Sequence, residues 1–230
     1  MLNLDLTGGQ ILGEGGLDQR VLSIAGGLVV DAPQARSIDL SGYMVLPGIV
    51  DVHGDGFERH LAPRRGAMKT LSEGLVAAEA ELAANGITTA VLAQFVSWEG
   101  GLRGPEFAKQ VFDAMRSTAP GLVTDLRGQL RFETHMLDLY DEIPQRMADW
   151  GLSYIVFNDH LPHDRLSQDR VPKRMVAQAL KAGRNPDAHL KLMQELHANR
   201  DAVPAALDDL VHTVPISSRL TKKSLLSVAG

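Results

Sequence analysis

The chain has 230 residues, 44% hydrophobic and 22% charged, which is ordinary globular composition and excludes disorder of the chain as a whole. Its 23 Lys and Arg against 28 Asp and Glu give a formal charge of -5 with no block of one sign, so no nucleic-acid partner is expected. The absence of cysteine rules out disulfides, zinc thiolates, iron–sulfur clusters and a thiol nucleophile, so any metal must be held by His, Asp or Glu.

The opening MLNLDLTGGQ lacks a signal-peptide pattern, and no apolar run reaches the roughly 18 residues of a membrane helix, so a cytoplasmic protein with no membrane partner is expected. Residues 1 to 45 alternate short apolar runs with glycine pairs, Gly8-Gly9, Gly15-Gly16 and Gly26-Gly27, the pattern of a small N-terminal β-sheet segment. From Leu46 to about residue 211 the pattern becomes strand then helix. A strand runs from Leu46 to His53, an Ala/Glu-rich helix from Leu71 to Asn85 closed by Gly86, and a β-branched strand from Ile87 to Ala93. A helix from Pro105 to Ala119, a strand from Leu126 to Glu133, a helix from Leu139 to Trp150 and a strand from Leu152 to Asn158 follow. Residues from about Pro172 to Leu210 read as helical, with a turn at Gly183 to Pro186. This alternation predicts an α/β fold, a partial TIM-like (β/α) barrel with helices outside a parallel sheet.

Three of the four strands end in metal-ligand residues. His53 and Asp55 stand two apart, so on an extended strand both project from one face, with Gly54 between them. Glu133 ends the third strand and His160 follows the fourth, at the edge where parallel barrels build their sites. Such a ligand set suits one or two zinc-like divalent ions that lower the pKa of bound water and supply hydroxide near neutral pH. In this reading Glu133 and Asp55 are the catalytic carboxylates. The donors Arg59, His60, Arg64 and Arg65 follow the first strand, a spacing suited to an anionic group or to a solvated surface loop.

The run LPGIVDVHGDGFERHLAPRRG, the segment GITTAVLA, the strand end RFETH and the segment FNDHLPHDR resemble the phosphonate-metabolism branch of the amidohydrolase superfamily, over roughly residues 1 to 200. The resemblance implies a metal-bearing barrel joined to a small sheet, with His53, Asp55, Glu133 and His160 as metal ligands. It implies a diphosphatase of the carbon–phosphorus lyase pathway acting on a ribose 1-phosphonate 5-triphosphate, a small phosphorylated sugar, through metal-bound hydroxide. A C–N bond hydrolase of the same superfamily, or an inactive truncated barrel, are the alternatives. The sequence departs from the family at Gly54, at Phe132 and in LPHDR after His160.

A whole barrel takes about 250 residues, and the family's later Ser-His-Asp-Asp and Ser-Asp strands are not found before the off-pattern tail, residues 212 to 230. The expectation is a product truncated or frameshifted near residue 211, or a short relative completing its barrel as a homo-oligomer. Alone, it should bind metal weakly and turn over slowly.

Overall fold

The computed structural model describes residues 3–62 and 70–213. The chain divides into two compact units, Met1–Ile49 and Val50–Gly230. The first contains only strands among its described residues: β1 (Leu4–Thr7), β2 (Gln10–Gly13), β3 (Gly16–Gln19), β4 (Leu22–Ala25), β5 (Leu28–Val30), β6 (Ser37–Asp39) and β7 (Met44–Val45). They make two sheets, in the orders β5-β4-β1-β6 and β3-β2-β7, where the sequence pattern suggests one. The division falls at Gly8, whose φ is 74° and whose Cβ, were there one, would lie 2.4 Å from Asp39 Oδ1. The chain turns there, so β1 pairs with β4 and β6 while β2 pairs with β3 and β7.

The second unit is mixed α/β, built on a sheet in the order β11-β10-β9-β8. Its strands are β8 (Ile49–Gly54), β9 (Ile87–Val96), β10 (Asp125–Glu133) and β11 (Ile155–Asn158), and its crossover helices are α2 (Leu71–Ala84), α3 (Pro105–Thr118) and α4 (Ile143–Trp150), with a single turn, α1 (Glu58–Leu61), before α2. β10 pairs in parallel with β9 and with β11. Four strands are half the complement of an eight-stranded barrel, and β8 and β11 are the two edges of the sheet. A helical region follows: α5 (His163–Leu166), α6 (Met175–Lys181), α7 (Pro186–Ala198) and α8 (Val203–Thr213). No helix among the described residues is long and apolar enough to cross a membrane.

Local chemistry sets the boundaries. α2 begins at a capping box, Thr70 Oγ1 accepting from the Glu73 N–H while the Glu73 carboxylate accepts from the Thr70 N–H. α4 begins at Ile143 rather than Leu139, because Pro144 suits a first turn; residues Leu137–Leu139 form a separate 3-10 turn. β9 runs three residues beyond Ala93 to Val96, since the buried Gln94 amide bonds to main-chain carbonyls and does not end the strand. Asn185 caps α7, accepting from the Asp187 and Ala188 N–H groups at 2.8 and 3.2 Å.

The period-2 alternation of β10 divides the sheet chemically. Leu126, Leu130 and Phe132 are buried in the main apolar cluster with Val111 and Phe112 of α3 and Ile143, Met147 and Trp150 of α4. Gly128 shares that face, and a Cβ there would lie 2.4 Å from Leu152 Cδ2 and 3.0 Å from Phe112 Cε1, so only glycine lets the helix layer approach. The opposite face carries Gln129, Arg131 and Glu133.

Candidate metal centre at the C-terminal edge of the sheet

Side chains from β8 and the residue after it reach the polar face of β10 across the intervening β9. His53 Nδ1 lies 2.5 Å from Gln129 Oε1, and two residues on, Asp55 pairs with Arg131 Nη1 at 3.3 Å. Arg131 also donates to Asn158 Oδ1 at 3.3 Å and lies over the Phe95 ring, its Cζ 4.1 Å from the centroid. Desolvation pushes its guanidinium below the usual arginine value, with the Asp55 charge opposing. Glu133 is fully buried and accepts from the backbone N–H of His160 at 3.1 Å and makes a short contact with His160 Nδ1. That carboxylate raises the His160 imidazole above the usual histidine value, against desolvation.

The four residues expected as one ligand set therefore occupy three levels. Glu133 and His160 are joined, Asp55 stands one pleat back against Arg131, and His53 two pleats back against Gln129. Four residues of strand span about 13 Å. Among the described residues the four do not form a group within metal-ligand distance of one another. Arg59 and His60 both pair with Glu81 of α2, His60 Nε2 at 2.8 Å, and the Glu81 carboxyl is lowered by Arg59 first and His60 second. Arg64 and Arg65 lie outside the described residues.

A different group does converge. His135 follows β10, Asp159 follows β11 and His163 opens α5, all at the same edge. His163 Nε2 lies 3.1 Å from His135 Nε2 and 3.2 Å from Asp159 Oδ1, and the third edge, His135 Nε2 to Asp159 Oδ1, is 3.2 Å. Ligands about 2.0 to 2.1 Å from a tetrahedral ion stand about 3.3 to 3.4 Å apart, so the triangle matches one face of such a site.

The carboxylate is the acceptor of the group. Desolvation raises the Asp159 carboxyl, but the His135 hydrogen bond and charge, the Leu161 N–H and the His163 charge outweigh it and hold it down at about 2, so it is an acceptor only. With both Nε2 atoms protonated, His135 donates to Asp159 Oδ1 and His163 to Oδ2 at 3.1 Å, which leaves two N–H groups side by side; with one, an imidazole lone pair faces the carboxylate. A cation at the centre satisfies all three atoms. The Nδ1 of His135 is buried without a hydrogen-bond partner among the described residues, so the ring's contacts are on the triangle side.

Behind the triangle, His163 Nδ1 lies 2.7 Å from Nδ1 of His197 on α7. Desolvation first, then the charges of Arg200, His163 and His135, lower His197 below the usual histidine value. A neutral His197 accepts the His163 Nδ1–H, which leaves His163 Nε2 as the free lone pair toward the triangle. His135, Asp159, His163 and His197 are absent from the set expected from sequence. Three of them stand inside the strand-end segments RFETH and FNDHLPHDR, with Asp159 and His163 four apart across the start of a short helix.

No family model matches the chain, and no curated protein matches it. Among solved structures it is similar to an L-hydantoinase (dihydropyrimidinase) from Arthrobacter aurescens, at 14% identity and TM-score 0.43, over 94% of this chain and 52% of that one. It is also similar to a D-hydantoinase from a Bacillus sp. AR9, at 17% identity and TM-score 0.46, over 84% of this chain and 50% of that one. The chain thus spans about half the length of these structures. These neighbours belong to the amidohydrolase superfamily.

Proposed function

We propose that the chain is a metal-dependent hydrolase whose ion is held by His135, Asp159 and His163, with zinc the best match to two imidazoles and a carboxylate. The observation that carries this reading is the triangle of donor atoms with edges of 3.1 to 3.2 Å, close to the spacing on one face of a tetrahedral site. A divalent ion bound there supplies Lewis acidity and lowers the pKa of its water toward about 7.

The chain's own residues supply the rest. Glu133, buried and holding His160 through both main chain and ring, fixes the imidazole with Nε2 turned outward as a proton carrier on the residue next to Asp159. Asp55 and His53 line the same sheet face and are the candidates to steer substrate or a second ion. Arg131, largely buried, presents positive charge on that face, which favours an anionic substrate. The finer reading is therefore a diphosphatase acting on a ribose 1-phosphonate 5-triphosphate, with Arg59 and His60, once freed from Glu81, and Arg64 and Arg65 as further phosphate contacts.

The test is hydrolysis by the zinc-loaded chain, read as pyrophosphate release from that triphosphate and, in parallel, as ring opening of hydantoin and dihydrouracil. Pyrophosphate release that falls by at least about 10²-fold in His160→Gln at unchanged zinc content supports the reading, since general acid–base groups contribute about 10² to 10⁴. Ring opening without pyrophosphate would transfer the chain to C–N chemistry. No hydrolysis of any of them by a zinc-loaded protein would overturn the hydrolase reading.

A further inference from the structure

Helix α7 carries a histidine besides His197, and this one is fully buried. The ring of His189 lies 5.7 Å from that of Trp98, in the turn after β9. Met193, four residues along the same face of α7, joins Trp98, Leu161, Leu166 of α5 and Met175 of α6 in an apolar cluster. These contacts dock α7.

The Nδ1 atom of His189 is already taken. Arg184, in the turn before α7, brings Nη1 to 3.3 Å from it and donates as well to the main-chain carbonyls of Trp98 and Glu99. A guanidinium has donors only, so Nδ1 accepts and the one proton of the neutral ring sits on Nε2. That Nε2 is buried with no partner among the described residues, and so is Nε1 of Trp98.

A second proton is therefore excluded from the docked helix. On Nδ1 it would set N–H against N–H and place a positive charge beside Arg184, with an acceptor for neither ring nitrogen. The charged groups that face the ring are Arg184 and Glu99, and the Glu99 carboxylate is engaged by Arg103 and Gln178 at 2.9 and 3.0 Å. From α5 and α6 the cluster receives Leu166 and Met175, which carry no charge. Desolvation first, then the Arg184 charge, hold the imidazole below the usual histidine value, with Glu99 opposing. An opened α7, whose histidine titrates near about 6.5, thus binds more protons than the docked one. Docking is at full strength above that pH and weakens as the pH falls below it. What an opened α7 carries away is His197, whose Nδ1 lies 2.7 Å from Nδ1 of His163.

We infer that α7 is an acid-released latch, in which proton uptake by His189 below about pH 6.5 undocks the helix from Trp98 and withdraws His197 from His163. Its effect on metal affinity rests on the metal reading; the opening itself does not.

The experiment is hydrogen exchange of the full chain in chelator, read by mass spectrometry on peptides of α7 and α3 and corrected for the pH dependence of intrinsic exchange. From pH 7.5 to 5.0 the open fraction of α7 should rise at least about five-fold, towards the roughly thirty-fold ceiling set by one excluded proton, while α3 stays level. His189→Gln, whose amide keeps an acceptor for Arg184 and takes up no proton, should cut that rise at least about five-fold. His197→Ala, which removes the other depressed histidine of α7, should retain a rise of at least about five-fold and decides alone if His189→Gln does not fold. No rise in wild type, an equal rise in His189→Gln, or its loss in His197→Ala would overturn the inference.

Discussion

Removing one corner of the triangle separates a metal site from a hydrogen-bonded cluster. His163 is half-buried on the single-turn helix α5, its Nε2 3.1 Å from His135 and 3.2 Å from Asp159, and it is a member of neither apolar cluster. His163→Ala therefore takes away two edges of the triangle and leaves the apolar core untouched. An ion bound only by the folded chain adds RT ln(1 + [L]/Kd), about 2.7 kcal/mol at a hundred-fold excess over Kd. For a chain of this size each kcal/mol moves Tm by about 2 to 4 °C, so zinc should raise Tm by about 5 to 11 °C. The assay is thermal unfolding of wild type and variant in chelator and in graded zinc, with calcium as control because imidazole sites discriminate against it. Wild type should rise with zinc and not with calcium, while His163→Ala stays level. An equal zinc response in the two proteins, or none in wild type up to millimolar zinc, would refute the reasoning from edge lengths.

Three other outcomes are expected. His197→Ala should keep the fold and lower zinc affinity by about 10 to 100-fold, the usual cost of removing a partner that orients a ligating histidine, and competition with a chromophoric chelator reads it directly. Gly128→Ala puts a methyl 2.4 Å from Leu152 Cδ2 and 3.0 Å from Phe112 Cε1, so chemical denaturation should show a loss of about 1 to 3 kcal/mol with zinc binding intact; a loss below about 0.5 would contradict the contact. Tyr140, whose hydroxyl donates to the Thr134 carbonyl at 2.7 Å, is pushed up to about 12 by desolvation. Because that lies above the unfolded value of about 10, its stabilising contribution is intact below pH 10 and is lost as the pH rises through about 12. Ultraviolet titration should show a tyrosinate component near that upper value that Tyr140→Phe removes.

What was legible in the sequence was local. The Ala/Glu run of α2, the β-branched start of β9 and the Gly151 that ends α4 in the left-handed region act within a few residues, and each forms where its pattern places it. Element ends shifted where one residue had two readings. Gln94 reads as a polar break yet is accommodated inside β9, and Pro144 reads as helix interior yet sets a first turn. The C-terminal edge as the place of the polar residues was legible too, because strand ends can be counted. Which donors meet there was not, since His197 stands 34 residues from His163 and reaches it only through the docking of α7.

The expected ligand set treated all strand ends as equivalent, and the structure shows why they are not. A strand end is a position on a rising line, about 3.3 Å per residue, and a metal site tolerates errors far smaller than one pleat. Across β9, His53 of β8 reaches Gln129 and Asp55, one residue past the end of β8, reaches Arg131, so the level of Glu133 lies beyond the strand. At the intermediate level the positive charge that answers Asp55 is the Arg131 guanidinium, seated over Phe95. His135, Asp159 and His163 escape this constraint because they stand after the strands, on short connections free to bend toward one point. The loops carry the convergence and the sheet carries the charge ladder, so substitutions at His135, Asp159 or His163 should act on metal content, whereas substitutions at His53, Asp55 or Arg131 should act on the binding of an anionic substrate.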